Sequence, residues 1–354
     1  MKTILLCILI MTYGQKVGFA VAEENVDHPN NNKVFIITID GLRWQELFFG
    51  ADPSIIQDTT ERYALNSIDE GQRRRKLMPF LWSVVAKEGQ IFGNRRHGNK
   101  VNVSNIYALS YPGYNEMFTG STDLTIFNNR RIRNKNITLF EHLNRNSFFH
   151  DKIASFTSWD MFSYIFNKDR SKLHVNSRCN PAKHNCEAAA DHGSNRNDEE
   201  TFAAAKDYII SNSPRLVHIG LGGTDTYAHK KNYRQYLEQA KLADSIIGQL
   251  WRLVQSSPFY KQQTTFIITT DHGRGAGRHN WHKHGMFIKG SSETWMALLG
   301  NGVRQIGEVT KATQLYQRQV AGTIAHFLNI RSFNNYSLPL SYFEPIQTDV
   351  AIND

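Results

Sequence analysis

The sequence predicts an α/β fold, a three-layer αβα sandwich around a mostly parallel sheet. Three observations lead there. Short apolar, β-branched runs alternate along the chain with segments of helical spacing, as strands and crossover helices do. Several of the runs are apolar almost throughout, as strands buried on both faces require. Acidic residues fall just beyond three of them, and in open α/β sheets ligands gather at the carboxyl ends of strands.

The 354 residues, 40% of them hydrophobic, suffice for one large core, and the 21% charged fraction argues against disorder. Lys2, the apolar run Ile4–Met11 and the small-x-small pattern Ala20-Val21-Ala22 predict a signal peptide over 1–22 and a secreted or periplasmic protein. An uncleaved anchor is the alternative, against which stands a run too short for a stable span. No other apolar run is long enough to cross a membrane. Residues 23–32 are polar and predict a flexible lead-in to one catalytic domain over 33–354.

Val34–Ile39 is the first central strand, ending at Asp40-Gly41. Met78–Glu88 has helical spacing and stops at Gly89, before a strand over Gln90–Gly93. Pro112-Gly113 predicts a turn before a short helix over Tyr114–Phe118. Thr138–Leu143 starts another helix, and Ile153–Phe156 is a strand. Residues 165–200, rich in Asn, Ser and His, predict an insertion or lid. Cys179 and Cys186 lie within it, and in an exported chain they predict a disulfide, a metal clip through His184 being the alternative. Glu199–Ser211 is helical, and Arg215–Leu221 is a strand running toward Asp225. Tyr233–Val254 carries Leu237, Ala240, Ile247, Leu250 and Val254 near the 3.6 period of an amphipathic helix. Thr264–Thr269 is a strand ending just before Asp271, and Trp295–Gly300 is another. Leu315–Phe327 predicts a closing helix.

Three carboxylates on one rim repel one another unless a cation lies between them. Asp225 and His229 are four residues apart, so one helical turn puts them on a common face. Asp271-His272-Gly273 places adjacent donors at a strand exit, and His279, His282 and His284 follow within a short stretch. Mixed oxygen and nitrogen donors suit zinc, with manganese as the alternative. The formal charge of +9 favours anionic partners. No stripe of Lys/Arg interleaved with aromatics singles out nucleic acid, so a small anionic ester is the expected substrate.

Val34–Arg43, Leu109–Gly120, Asp225–His229, Thr269–Gly273 and His284-Gly285 resemble, in order and spacing, the alkaline phosphatase superfamily. Within it the chain is most similar to the nucleotide pyrophosphatase/phosphodiesterase branch, whose nucleophile-x-Pro motif is matched by Ser110 and Pro112, with Thr119-Gly120 at the expected distance. The resemblance implies a phosphohydrolase acting on mono- or diesters through a phosphoseryl intermediate on Ser110. It implies two divalent ions, one held by Asp225, His229 and His284, the other by Asp40, Asp271, His272 and the Ser110 oxygen. His282 competes with His284, but Gly285 fits the family pattern for the latter. Asn129 would contribute a donor to the non-bridging oxygens, and Arg43 a structural ion pair. The chain departs from that branch at Ser110, where threonine is usual, and at Gly113-Tyr114 in place of Asn-His. Tyr114 also stands where a formylglycine sulfatase has arginine. Two alternatives remain from the sequence: a phosphoryl or phosphoethanolamine transferase, and a non-catalytic relative that keeps the fold for binding. Neither the natural leaving group nor the oligomeric state is readable.

Overall fold

The computed structural model describes residues 29–177, 196–333, 338 and 340–343. The signal peptide, the cysteine pair and most of the lead-in lie outside the described residues.

Eleven strands are described: β1 (Lys33–Ile39), β2 (Gly89–Phe92), β3 (Asn99–Asn102), β4 (Ile153–Thr157), β5 (His174–Asn176), β6 (Leu216–Leu221), β7 (Thr264–Thr269), β8 (Glu293–Thr294), β9 (Met296–Gly300), β10 (Gly307–Glu308) and β11 (Thr313–Tyr316). Eight form the main sheet in the order β10-β2-β9-β7-β1-β6-β4-β5. All its pairings are parallel except those of β9, which runs antiparallel to both β2 and β7. Strands β11, β3 and β8 make a second, smaller sheet.

The near-continuous apolar run of β1 follows from its central place. Phe35, Ile37 and Ile39 face one hydrophobic cluster, shared with Tyr236, Ala240, Ile247 and Val254 of the helix Tyr233–Ser256. Val34 and Ile36 face a second cluster, shared with Met117 and Phe118 of the helix Ser110–Thr119 and with Val320 and Ile324 of the helix Gln319–Phe327. Alternate residues of a strand point to opposite faces, so a sheet covered by helices on both sides needs no polar alternation. The three-layer architecture is as the sequence predicts.

Several boundaries differ from expectation. Pro112 and Gly113 do not form a turn but lie inside the helix Ser110–Thr119. Proline is tolerated in a first turn because the N–H it lacks would have no intrahelical partner there. The segment Leu315–Phe327 is not one helix: Thr313–Tyr316 is a strand paired in parallel with Asn99–Asn102, and the helix starts at Gln319. Leu81–Val85 forms a π-helical turn that runs into Ala86–Glu88. Within 165–200, His174–Asn176 pairs with β4 at the edge of the main sheet.

Candidate metal centre and nucleophile

Strands β6, β1 and β7 are adjacent and parallel, so their carboxyl ends share one rim. Asp40 follows β1 directly, Asp271 follows β7, and Asp225 lies in the first turn of the helix Gly223–His229 that follows β6. The sheet therefore brings together three carboxylates that are far apart in sequence. His229 closes the same short helix, and its Nε2 lies 3.3 Å from Asp225 Oδ2.

One donor atom each from Asp40, Asp271 and His272 lie within 4.8 Å of one another, as do donors from Asp225, His272 and His284. The two groups meet at His272, whose Nε2 is 3.5 Å from Asp40 Oδ1 and 3.6 Å from Asp271 Oδ2. The rings of His272 and His284 stack with centroids 4.0 Å apart. His284 Nε2 is 3.2 Å from His229 Nε2, so His229 joins the second group from its exposed side. His282 does not take the place of His284. Its backbone carbonyl accepts a hydrogen bond from Arg274, and His279 is exposed.

Ser110 is the first residue of its helix, is buried, and places its Oγ 3.3 Å from His272 Nε2. The approach to it is fixed from behind. The buried Glu116 carboxylate accepts from the backbone N–H groups of Ser104 and Asn105 and from the Asn105 side chain. Ala108, just before the helix, adopts a left-handed φ of 48°. A Cβ on Gly113 would stand 2.4 Å from the Asp271 carbonyl oxygen, so only glycine lets the nucleophile helix approach the metal loop this closely. Asn129 lies at the same helix end: its Oδ1 accepts from the Tyr111 N–H at 2.9 Å, which leaves two amide N–H donors. Its neighbour Arg131 is engaged by Asp160 at 3.0 Å.

The donor set fits divalent cations. Asp40 Oδ1 and Asp271 Oδ2 are buried and meet no hydrogen-bond donor. Burial, with Asp271 beside it, pushes the Asp40 carboxyl up to about 7, and burial pushes Asp271 up to about 7. Such a pair is costly to ionise without a cation and becomes favourable with one. Burial also lowers the pKa of His272, His284 and His229, which keeps these imidazoles neutral, as metal donors must be.

Sequence reasoning missed Arg274. Its buried guanidinium pairs with Asp225 Oδ1, donates to the Gly41 carbonyl at 3.1 Å and to the His282 carbonyl at 2.6 Å. It thereby joins the exits of β1, β6 and β7. The residue directly follows Asp271-His272-Gly273, and that adjacency is the one signal the sequence offered. Arg43 behaves as expected, pairing with Glu46 in the interior. Tyr114, known from the sequence only as a departure from family motifs, directs its hydroxyl to Thr38 Oγ1 at 3.3 Å and Asp40 Oδ2 at 3.5 Å.

A family profile described as the metalloenzyme superfamily matches residues 12–286. The chain belongs to this superfamily. Among curated proteins, none matches the sequence. Solved structures place this metalloenzyme in the alkaline phosphatase fold. It is similar to the lipoteichoic acid synthase LtaP from Listeria monocytogenes, with a TM-score of 0.58 and 10% identity over 90% of this chain and 78% of that one. The phosphonate monoester hydrolase SpPMH from Silicibacter pomeroyi gives 0.51 and 14% identity, covering 87% and 76%. Murine ectonucleotide pyrophosphatase/phosphodiesterase 5, in an inactive form in complex with AMP, gives 0.51 and 12% identity, covering 88% and 100%. At these identities the likeness is one of fold. No described helix of this metalloenzyme is long and apolar enough to cross a membrane.

Proposed function

We propose that this metalloenzyme is an exported phosphohydrolase that cleaves phosphate mono- or diesters through a phosphoserine at Ser110. One observation carries the reading: a buried serine hydroxyl at a helix N-terminus lies beside His272 and two unpartnered carboxylate oxygens, Asp40 Oδ1 and Asp271 Oδ2.

Asp40, Asp271, His272 and the Ser110 oxygen would hold one divalent cation, and Asp225, His229 and His284 the other, zinc or manganese by donor chemistry. When bound, the cations supply the positive charge that lowers the pKa of the serine hydroxyl and offsets charge on the attacking and leaving oxygens. The chain's own groups do the rest. Ser110 attacks phosphorus in line, forming the Oγ–P bond as the ester oxygen departs with its electron pair. The N-terminus of the helix Ser110–Thr119 carries partial positive charge that favours an anion, with the Tyr111 N–H taken by Asn129 and the Gly113 N–H by the Leu109 carbonyl. The Asn129 amide donates to a non-bridging oxygen. Arg274 holds Asp225 through one oxygen, leaving the other for the cation. Water then attacks the phosphoserine, releasing phosphate or a phosphomonoester and restoring the hydroxyl.

Purified protein supplied with zinc or manganese, assayed on p-nitrophenyl phosphate and bis-p-nitrophenyl phosphate, should show metal-dependent turnover. Preference for one of the two assigns the ester class. Ser110→Ala should abolish turnover while metal content by elemental analysis is retained. Turnover unchanged in that variant removes Ser110 from the chemistry.

A further inference from the structure

Ser110 lies with His272 and Asp40, so in-line attack puts the departing oxygen on the side of Asp225, His229 and His284, and beside that group lies a cavity of about 690 Å³ that the chemistry above does not use. Cavities of about 300–1,000 Å³ are the usual size for small-molecule sites. Its walls are continuous with the metal-binding segments: Lys230 directly follows His229, and His282 precedes His284 by two residues. Arg274 donates both to the His282 carbonyl, at 2.6 Å, and to Asp225, which ties the cavity wall to the group Asp225, His229 and His284.

The lining is cationic where it nears the site. Lys230, Lys231, Arg278 and His279 are exposed along it. No carboxylate pairs with Lys231 or Arg278 among the described residues. The acidic residues of the cavity are already engaged. Glu61 is paired with Arg234 at 2.7 Å, and the Asp58 side chain caps its helix by accepting from the Glu61 N–H at 2.8 Å. His282 also lines the cavity. The floor is aromatic and fixed, with the Trp281 and Tyr233 rings in edge contact at 4.9 Å and both buried. A rigid apolar floor and unpaired cations together describe a receptor for an anion attached to a small organic group.

We infer that this cavity binds a second anionic group of the substrate, carried on the leaving side of the ester. The inference rests on the phosphohydrolase reading and narrows it: the preferred substrate is a phosphate ester whose leaving alcohol bears another phosphate or a carboxylate. Lys231 and Arg278 meet that group.

The metal-loaded protein is assayed on four substrates: p-nitrophenyl phosphate, glucose 1-phosphate, glucose 1,6-bisphosphate and glucuronic acid 1-phosphate. A charge-assisted contact is worth about tenfold in affinity, so kcat/KM for at least one doubly anionic sugar should exceed that for glucose 1-phosphate by about tenfold or more. The bisphosphate and glucuronate arms tell a second phosphate from a carboxylate. In the Lys231→Gln/Arg278→Gln double variant that advantage should fall to near unity, with kcat/KM for p-nitrophenyl phosphate kept within about twofold. Equal kcat/KM for the three sugars in the wild type overturns the inference. So does a double variant that slows all four substrates alike. Absence of turnover on both p-nitrophenyl phosphate and bis-p-nitrophenyl phosphate overturns the phosphohydrolase reading, a result distinct from either.

Discussion

Gly113 lies in the first turn of the helix that begins at Ser110, and a methyl group built there would come 2.4 Å from the Asp271 carbonyl oxygen and 3.2 Å from its carbon. Ordinary carbon contacts begin near about 3.4 Å, so Gly113→Ala must separate helix and loop by about 1 Å. Two effects on stability oppose each other. Alanine inside a helix is favoured over glycine by about 1 kcal/mol. Overpacking against backbone costs about 1–3 kcal/mol, and backbone has few ways to yield. The net destabilisation is thus small, about 0–2 kcal/mol by the same estimates. Catalysis has no such compensation. The displacement separates the Ser110 hydroxyl from Asp271 and His272, and a misplacement of about 1 Å costs about 100-fold in rate. The assay is kcat/KM on p-nitrophenyl phosphate alongside a thermal melt. Gly71→Ala is the control, since a Cβ there meets only side-chain ends of Asp69 and Arg75. Gly113→Ala with activity within about twofold of wild type would show that the close approach of helix and loop does not position the nucleophile.

Arg274→Ala should weaken metal binding about 10- to 100-fold, measured by titrating zinc into chelator-treated protein, because Asp225 loses its buried partner. Arg274→Lys should recover part of that loss, since lysine keeps the charge but not the forked geometry. Chelation should lower Tm and re-added metal restore it, because a ligand bound only by the folded state stabilises it. His218 provides a pH test away from the site. Burial pushes its imidazole down to about 3, and its ring nitrogens meet Thr38 Oγ1 and Ser155 Oγ, each at 3.0 Å. A neutral buried histidine contributes stability that is full above its unfolded pKa of about 6.5 and is lost as pH falls below it, at about 1.4 kcal/mol per unit. Between pH 7.5 and 5.0 the wild type should therefore lose about 2 kcal/mol more than His218→Gln in urea unfolding, and equal losses would refute the assignment.

The parts of the site legible in the sequence were those that one strand or one helical turn defines. Asp40 and Asp271 announce themselves as the polar ends of apolar runs, and β7 occupies the expected residues Thr264–Thr269. Asp225 and His229 share a face through local helix geometry alone. What the sequence hid depends on partners remote in the chain. Leu315 reads as the start of a helix, but its segment is held as a strand by Asn99–Asn102, more than two hundred residues earlier. Short apolar runs do not distinguish the two conformations. The antiparallel direction of β9 is likewise a property of its neighbours β2 and β7. Arg274 carries no pattern of its own, and its role exists only once β6 brings Asp225 within reach. Pro112-Gly113 misled because a turn signal and a helix first turn use the same residues.

The candidate ligands hang from β6, β1 and β7, the middle of an eight-stranded sheet whose outermost strands, His174–Asn176 and Gly307–Glu308, have three and two residues. Chemistry and periphery are thereby structurally decoupled. Directed-evolution libraries seeking new substrates for this scaffold belong in the loops beyond the strand ends, where Lys231 and Arg278 lie, not within the three strands that carry the carboxylates.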